Sequence, residues 1–500
     1  MAKGLVSLVG AGPGDPGLLT LKAKRRLEEA DFVVYDYLAN PAHLKHTRPS
    51  AVTVCVGKGY RHKTLSQEKL NRMIIAEARK GRRVVRLKGG DPYLFGRGGE
   101  EALVLARSGI PFEVIPGVTS AVACAAYAGI PLTFRHFNSS VTFLTGHRAD
   151  SSYEAWEHVP KSGTLAVYMG LYNLETVAET LIETGFPPET KAAVIEWGTL
   201  PRQRSCDGTL ADIAAAARRM GIRPPAMVIV GEGVSLRKSL NWFERLPLFG
   251  KRVLITRARD KAGALADKLS EMGAEPLGLA AIETAPGDKR AIDAAIRRLP
   301  RTDWIVFTSV TGVEAFFSRL RALGKDTRSV TARVASVGPE TSRALGDRGI
   351  RPDLEPRRYE TAALAEAFRR KNLKGKRVAL FRTDIATPEL ERNLRKLGAL
   401  VERVIAYRTR VPKDLKKALP GVLAGGFDAA AFTSGSTVDH FVRAVGRARA
   451  RAWSRKAVFA SIGPVTSRAL RRHGLKVGCQ ARVFTTDGLA EALRAKWGKR

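Results

Sequence analysis

Residues 84–101 read VVRLKGGDPYLFGRGGEE, and the reading of this stretch decides the architecture of the N-terminal half. Val84-Val85-Arg86-Leu87-Lys88 is a strand that ends in Gly89-Gly90-Asp91-Pro92, then runs on through Leu94-Phe95-Gly96-Arg97-Gly98-Gly99-Glu100. The start of the chain has the same order. Leu5 to Val9 is a strand, Gly10-Ala-Gly-Pro-Gly-Asp-Pro16 is a glycine-rich turn, and a helix follows from about Thr20. Two glycine turns at strand ends, each closing in Asp-Pro, face the same edge of a parallel sheet. That edge is where backbone can approach a nucleotide or a similar ligand. The first turn is not a dinucleotide fingerprint, because the third glycine of GxGxxG falls at Asp15 and Pro13 lies inside the turn. Farther on, Pro116-Gly117-Val118-Thr119-Ser120-Ala121 places small hydroxyl residues at the start of an alanine-rich helix. Each of these segments taken singly also reads as an ordinary structural turn.

Outward from these turns, apolar β-branched runs alternate with alanine- and leucine-rich helical patterns, an α/β chain throughout. Five hundred residues with 44% hydrophobic and 26% charged content make several globular cores. The pattern breaks in SLRKSLNWFERLPLFG, residues 235–250, and a fresh strand starts at Lys251-Arg252-Val253. The expected organisation is a first domain over 1–240, a linker over 241–250 and a second domain over 251–500. The second half repeats itself. VLITRA from Val253 answers VALFRT from Val378, MGAEPLGLAAIET from Met272 answers LGALVERVIAYRT from Leu397, and SVGPETSRAL from Ser336 answers SIGPVTSRAL from Ser461. The offset is constant (378 − 253 and 461 − 336 both give 125), which predicts a duplicated unit and a pair of similar α/β lobes.

Composition narrows the function classes. Cys55, Cys124, Cys206 and Cys479 are scattered, with no CxxC pair, and the eight histidines show no HExxH spacing, so no metal site is expected. The start lacks the pattern of a secretory signal, and no uncharged apolar run is long enough to cross a bilayer, so a reduced, cytoplasmic location is expected. The net charge of +36 suits polyanions. The basic residues are dispersed in short pieces such as Lys24-Arg25-Arg26 and Arg447-Ala-Arg449-Ala-Arg451, without a basic tail or an RNA-binding signature. A nucleic-acid partner is therefore not expected, and a general basic surface bias stands beside functional anion binding.

The strings VGAGPGDPGLLT, VYDYL, VRLKGGDPYLFGRGGEE, IPGVTSA, GIPLT, FLTGH, YMG, EWGT and PPAMVIVG, in this order over about residues 3–240, resemble the tetrapyrrole (precorrin-type) methyltransferase family. The nearest branch is uroporphyrinogen-III C-methyltransferase. The resemblance implies a two-lobed methyltransferase fold, a homodimer through this half, and S-adenosylmethionine as methyl donor, leaving as S-adenosylhomocysteine. It implies that Pro13, Gly89, Gly90, Asp91, Leu94, Thr119, Ser120, Met169, Gly198 and Ala226 contact that cofactor, and that Asp36 takes the proton lost after methylation while Lys58 gives one back. Glycine turns admit close backbone approach, and Asp91 offers acceptors to hydroxyls or an ammonium. Arg61, Lys63, Arg97 and Arg148 are candidate clamps for a polycarboxylate substrate. Where the family reads PLTHR, this chain has Phe134 in place of the histidine. The dehydrogenase–chelatase module that precedes this domain in some members is absent from the sequence, so the methylated product is expected to pass to another protein.

With the repeat, about residues 250–495 resemble uroporphyrinogen-III synthase. Thr-Ser follows an apolar strand at Thr308-Ser309 and Thr433-Ser434, and Gly-Pro-x-Thr-Ser-Arg opens a helix at Gly338 and Gly463. Helix N-termini with hydroxyls cradle carboxylates, and they equally serve as ordinary caps. The resemblance implies two lobes joined by two strands, with the chain starting in one lobe, building the other and returning. It also implies hydroxymethylbilane as substrate, no cofactor, Tyr407 as the catalytic phenol, and Thr341, Arg382, Ser434 and Thr466 as substrate contacts. The 125-residue shift sets Tyr407 opposite Ile282. The implied whole is a bifunctional enzyme acting on small-molecule tetrapyrroles, whose C-terminal half makes the substrate of its N-terminal half. The alternative is a methyltransferase with a second half that only binds substrate.

Overall fold

Val6–Gly10 (β1) is buried at every residue, which an edge or one-faced strand never requires but a central parallel strand covered on both faces does. In the computed structural model, which describes residues 4–57, 65–146, 156, 158–256, 263–279, 283–359, 361–410, 419–420 and 425–498, β1 lies in a five-stranded parallel sheet. Its partners are β2 (Phe32–Tyr35), β3 (Val52–Cys55), β4 (Val84–Lys88) and β5 (Phe112–Ile115), in the order β3-β2-β4-β1-β5. One face packs Val9, Val33, Val85 and Leu87 on Ala23 and Leu27 of α1 (Leu21–Glu29). The other packs Leu8, Val34 and Val84 on α2 (Gln67–Arg79) and α3 (Gly98–Arg107). Thr20 caps α1 by accepting from Ala23 N, as its position before the amphipathic run predicts. The connection leaving β1 goes past β4 to β2, whereas the one leaving β4 goes past β1 to β5. The two central strands therefore part in opposite directions at their carboxyl ends, a switch point where open α/β sheets bind ligands.

A second sheet follows in the same unit: β6 (Val141–Thr145), β7 (Thr164–Tyr168), β8 (Lys191–Glu196), β9 (Arg204–Thr209) and β10 (Ala226–Val230), in the order β6-β7-β10-β8-β9. Only β6 and β7 are parallel; β10 runs antiparallel to both of its neighbours. α4 (Ser120–Tyr127) covers one face, and α5 (Leu174–Glu183) with α6 (Ile213–Arg219) covers the other.

The chain forms two compact units, Met1–Gly250 and Lys251–Arg500. The segment expected as a linker is built into the first. After α7 (Arg237–Leu240), Phe243 and Leu248 are buried, and Trp242 Nε1 donates to Ala126 O at 3.1 Å. Glu244 accepts from Asn241 Nδ2 and Arg237 Nη2, both at 2.7 Å, and from Gln203 Nε2 at 3.0 Å. Its sequence lacks a helical or strand period because it is a strap, anchored residue by residue.

In the second unit, β11 (Arg252–Ile255), β12 (Glu275–Gly278), β18 (Ala429–Phe432), β19 (Val458–Ser461) and β20 (Cys479–Gln480) form one parallel sheet, in the order β12-β11-β18-β19-β20. β13 (Glu283–Pro286), β14 (Trp304–Phe307), β15 (Arg333–Ser336), β16 (Arg377–Thr383) and β17 (Leu400–Arg410) form the other, in the order β13-β17-β16-β14-β15, with β13 antiparallel to β17. The repeat is therefore not one copy per lobe. β11 and β12 of the first copy pair with β18 and β19 of the second, while β14 and β15 pair with β16 and β17. Each lobe takes the opening of one copy and the close of the other, an internal segment exchange. Where the connections cross, Thr284 pairs with Thr409, and 409 − 284 is again 125. A local twofold relation passes between them.

Two outcomes follow for fragments. Residues 1–250 are expected to fold alone, and 1–240 to melt at least 10 °C lower, because burying Phe243 and Leu248 contributes on the order of 2–5 kcal/mol each. Residues 283–410 carry one whole sheet and are expected to give a cooperative thermal transition, whereas 251–375, cut at the repeat boundary, holds two half-sheets and is expected to give none.

Candidate active site

At the carboxyl ends of β1 and β4 the ladder continues into the turns: Ala11 N donates to Lys88 O at 2.7 Å, Gly90 N to Gly12 O at 2.7 Å, and Gly12 N to Gly90 O at 3.2 Å. The turn after β5 closes on the same spot. A Cβ on Gly117 would lie 2.3 Å from Gly90 O and 2.8 Å from Gly10 Cα, and one on Gly10 would lie 2.5 Å from Gly117 N. Three turns meet backbone to backbone. Gly90 is constrained differently: its Cβ would meet nothing closer than 3.7 Å, but its φ is +67°, a conformation side chains disfavour. Asp91 fastens the junction, with Oδ1 accepting from Tyr93 N at 2.8 Å and Oδ2 from Gly117 N at 3.1 Å. Each of those oxygens keeps a further lone pair for a ligand.

The second sheet supplies the other side. Thr119, at the start of α4, makes no side-chain cap; its hydroxyl pairs with that of Tyr168, which also accepts from Ala121 N at 3.3 Å. Gly198 is pressed against Cys124, since a Cβ there would stand 2.3 Å from Sγ. Leu94 packs on the α4 side of this sheet, Trp197 N donates to Pro225 O at 3.1 Å beside Ala226, and Asp15 N donates to Thr199 Oγ1 at 3.0 Å. Pro13 stands half-buried in the turn whose Gly14 touches Thr199. These contacts bring the turns bearing Pro13, Gly89, Gly90 and Asp91 together with Leu94, Thr119, Ser120, Gly198 and Ala226; Met169 directly follows Tyr168 and is exposed. Among the described residues, five that are not glycine have positive φ: Phe95, Arg97, Met169, Trp197 and Thr199. All five lie in the loops leaving β4, β7 and β8. Strain of about 1–3 kcal/mol apiece, gathered in loops that leave the carboxyl ends of strands in both sheets, marks a site whose surroundings hold it in place.

Asp36 follows β2, and its Oδ1 accepts from Arg86 Nη2 at 2.6 Å. Arg86 also donates to Glu101 Oε1 at 3.2 Å, which receives Lys88 Nζ at 3.0 Å and Gln67 Nε2 at 2.9 Å as well. Arg86, Lys88 and Glu101 are all nearly inaccessible. Burial pushes the Lys88 ammonium below its ordinary range and Arg86 adds to this, while Glu101 and Asp36 hold it up. Two cations balanced by two carboxylates fix the Asp36 carboxylate by its Oδ1. This network escapes the sequence reading, although a signal exists: Arg86 and Lys88 alternate in a buried strand, so both point to one face and need an anion there. Lys58, Arg61, Lys63 and Arg148 lie outside the described residues. Arg97 pairs with Glu100 at 2.6 Å on the surface, and Phe134 is exposed in a turn closed by its own N donating to Asn138 Oδ1 at 2.9 Å.

In the second unit, Ser309, Thr341 and Arg382 lie at or just beyond the carboxyl ends of β14, β15 and β16, and Tyr407 lies within the adjacent β17, level with Thr383 at the end of β16. Burial pushes the Tyr407 phenol up, and Asp384 adds to it, against the Ser309 hydroxyl and Arg382. Arg382 is 2% exposed; Nη1 donates to Thr387 O at 2.9 Å and Nε has no partner among the described residues. Ser434 and Thr466 belong to the other sheet, where Ser434 caps the helix Gly435–Val445 and Thr466 is buried in the first turn of Pro464–Arg472. Ile282 lies outside the described residues.

This is an α/β chain of two units, each with ligand-type residues at the carboxyl edge of a parallel sheet. A family model described as "Uroporphyrinogen-III synthase HemD" matches residues 213–491, and one described as "Tetrapyrrole (Corrin/Porphyrin) Methylases" matches residues 5–214. The first match begins inside the methylase unit, where β10 is central to its sheet; the fold puts the division at Gly250. The porphyrin biosynthesis protein HemD of Ruminiclostridium josui is 36% identical over 448 residues, 88% of this chain and 89% of that protein. The uroporphyrinogen-III C-methyltransferase of Bacillus subtilis is 38% identical over 368 residues, 71% and 75% of the two chains. A solved uroporphyrin-III C-methyltransferase of Thermus thermophilus, complexed with S-adenyl homocysteine, is 41% identical over 46% of this chain and 99% of its own, with a TM-score of 0.41. The chain belongs to the tetrapyrrole methylases through its first unit and to the uroporphyrinogen-III synthases through its second, a fusion of two tetrapyrrole-biosynthesis enzymes.

Substitutions separate the two kinds of glycine. Gly10→Ala and Gly117→Ala are each expected to cost about 3 kcal/mol or more by forcing backbones apart, and Gly90→Ala about 1–2 kcal/mol through its dihedral alone. Urea unfolding of residues 1–250 reads the order directly.

Proposed function

We propose that the second unit closes hydroxymethylbilane to uroporphyrinogen III with inversion of the last ring, and that the first methylates this product at C2 and C7 to precorrin-2. The observation that carries the methyltransferase half is the side-chain-free junction of Gly10, Gly90 and Gly117 beneath a rim of left-handed residues. Turns without side chains let a nucleoside-sized ligand approach the backbone closely, and Leu94, Met169 and Ala226 offer apolar surface beside them. These features fit S-adenosylmethionine, whose sulfonium supplies the methyl group. In this reading Asp91 receives hydroxyls or the ammonium on its free lone pairs, Thr119 and Ser120 border the pocket, and Pro13 stiffens the first turn. Asp36, held by Arg86, takes the proton lost from the methylated carbon. Lys58 remains the proposed proton donor.

For the synthase half, Tyr407 donates its phenolic proton to the departing hydroxyl. Its raised pKa keeps it protonated through neutral pH, as a donor must be. Arg382, whose buried Nε lacks a partner among the described residues, is the proposed cation for a substrate carboxylate, with Thr341, Ser434 and Thr466 as further contacts. No cofactor enters this half of the proposal: losing water and closing a ring is redox-neutral, and positioning a flexible chain is its main demand. The Ser309–Arg382–Tyr407 grouping favours a working synthase over a second unit that merely binds substrate. A cytoplasmic setting and a homodimer through the first unit complete the proposal. Among the described residues no helix is long and apolar enough to cross a membrane, and no cluster of three metal-type ligands occurs.

Supplied with hydroxymethylbilane and S-adenosylmethionine, the purified chain is expected to yield precorrin-2 and S-adenosylhomocysteine. Tyr407→Phe is expected to retain methylation of supplied uroporphyrinogen III and to lose ring-inverting closure by about 10²-fold or more, leaving the uninverted type I isomer. Type III isomer from Tyr407→Phe at near-normal rate would overturn the role of the phenol. Type I isomer alone from the intact chain would overturn the synthase assignment.

A further inference from the structure

Gln203 lies in the turn between β8 and β9, nearly inaccessible and with every polar atom of its amide engaged. Its Oε1 accepts from Thr199 N at 2.9 Å, and its Nε2 donates to Glu244 Oε1 at 3.0 Å and to Tyr127 O at 3.3 Å. Thr199 is a β-branched residue at φ +70°, a conformation that local sequence does not favour. It is buried, so its N–H depends on Gln203. Thr199 in turn holds the first glycine turn, because Oγ1 accepts from Asp15 N at 3.0 Å.

A second route reaches the same turn. The Tyr127 hydroxyl donates to Asp15 Oδ2 at 2.6 Å, and its ring is walled by Trp242 and Phe243, with centroids 5.1 and 4.8 Å away. Both routes begin in the strap. Glu244, Trp242 and Phe243 lie within residues 241–249, and Glu244 is fixed there by Asn241 and Arg237. Hydrogen bonds and ring packing thus tie the strap to Asp15 by two paths, one passing beside Gly198, and the Gln203 Nε2 bond to Tyr127 O braces them against each other.

We propose that Gln203 and Tyr127 are positioning residues of the methyltransferase site, anchored by the strap 241–249, that hold the Thr199 and Asp15 turns in the form that receives S-adenosylmethionine. This rests on the cofactor reading of the preceding section. Neither residue need touch the cofactor. Without Gln203 the Thr199 amide has no buried partner, the left-handed turn relaxes, and Gly198 and Asp15 move with it. The effect falls on cofactor binding, because both paths end on the turns that border the cofactor and neither includes Asp36.

The test uses the full-length chain carrying Gln203→Ala or Tyr127→Phe. S-adenosylhomocysteine is titrated by calorimetry, steady-state kinetics give KM for S-adenosylmethionine and kcat, and synthase activity is measured in the same preparation. Gln203→Ala is expected to weaken binding about tenfold and Tyr127→Phe about three- to tenfold, the loss expected for hydrogen bonds of ordinary strength. The KM for S-adenosylmethionine should rise by the same factors, with kcat at saturation within about twofold of the parent. A merely structural role predicts the opposite split, a lower kcat from a smaller folded fraction at unchanged KM and affinity, and that result overturns the proposal. Should Gln203→Ala fail to fold, the isosteric Tyr127→Phe decides alone, and unchanged affinity there overturns it. A parent chain that does not bind S-adenosylhomocysteine removes the cofactor reading, and this inference with it. A parent that binds beside variants that bind equally well removes the inference only.

Discussion

The methyltransferase unit depends on three backbone segments approaching more closely than any side chain allows. Gly10, Gly90 and Gly117 stand at the ends of β1, β4 and β5, and a single Cβ on the first or last would lie within 2.6 Å of another strand's backbone. Backbone–backbone contact of this kind is stiff, since it has no rotamers through which to relax. It fixes the height of the switch point, and through Asp91 it fixes the turn that opens α4. From there Thr119 reaches Tyr168, so the second sheet is placed by the first. The buried group of Arg86, Lys88 and Glu101, with the half-buried Asp36 at its outer end, then lies under a rigid edge, and its charges balance at fixed distances instead of rearranging.

Much of this was legible in the residues. Glycine turns after apolar strands, Thr20 before an amphipathic run, and hydroxyls at Ser309 and Ser434 before helices are local signals, and local hydrogen bonding fulfils them. The glycine count at the first turn pointed away from a dinucleotide site, and the meeting of three turns shows what those glycines serve. The remainder is non-local. A repeat states that two segments are alike and is silent on which half pairs with which. The exchange of β11 and β12 with β16 and β17 between lobes follows instead from the synthase resemblance, which implies a chain that starts in one lobe, builds the other and returns. The strap has no period because Trp242, Phe243, Glu244 and Leu248 are each placed by a different neighbour. Left-handed Trp197 and Thr199 carry no glycine to announce them.

The duplication also shows where symmetry was kept. Ser336 pairs with Ser342 at 2.7 Å and Ser461 with Ser467 at 2.6 Å; the next partner is Glu355 in one lobe and Gln480 in the other, 125 residues apart like the rest. These hydroxyl pairs tie a strand end to the following helix and belong to the scaffold of both copies. Tyr407 breaks the pattern beside Arg382, in a frame whose other elements match. Departure from symmetry is what an asymmetric substrate requires of a duplicated fold.

The exchanged halves also dictate the order in which the second unit can be assembled during synthesis. Ile255 pairs with Ala431, so β11 waits for a partner 176 residues downstream (431 − 255) before its inner edge is covered. Every strand of the other sheet lies between Glu283 and Arg410 and can close as soon as it emerges. The intervening lobe therefore completes first, while Arg252–Ile255 presents an apolar open edge to the crowded surroundings of the ribosome. A growing chain exposed in this way is most vulnerable to mispairing between the synthesis of β12 and that of β18. The cell meets the cost of the crossed architecture once per molecule, before any substrate is bound.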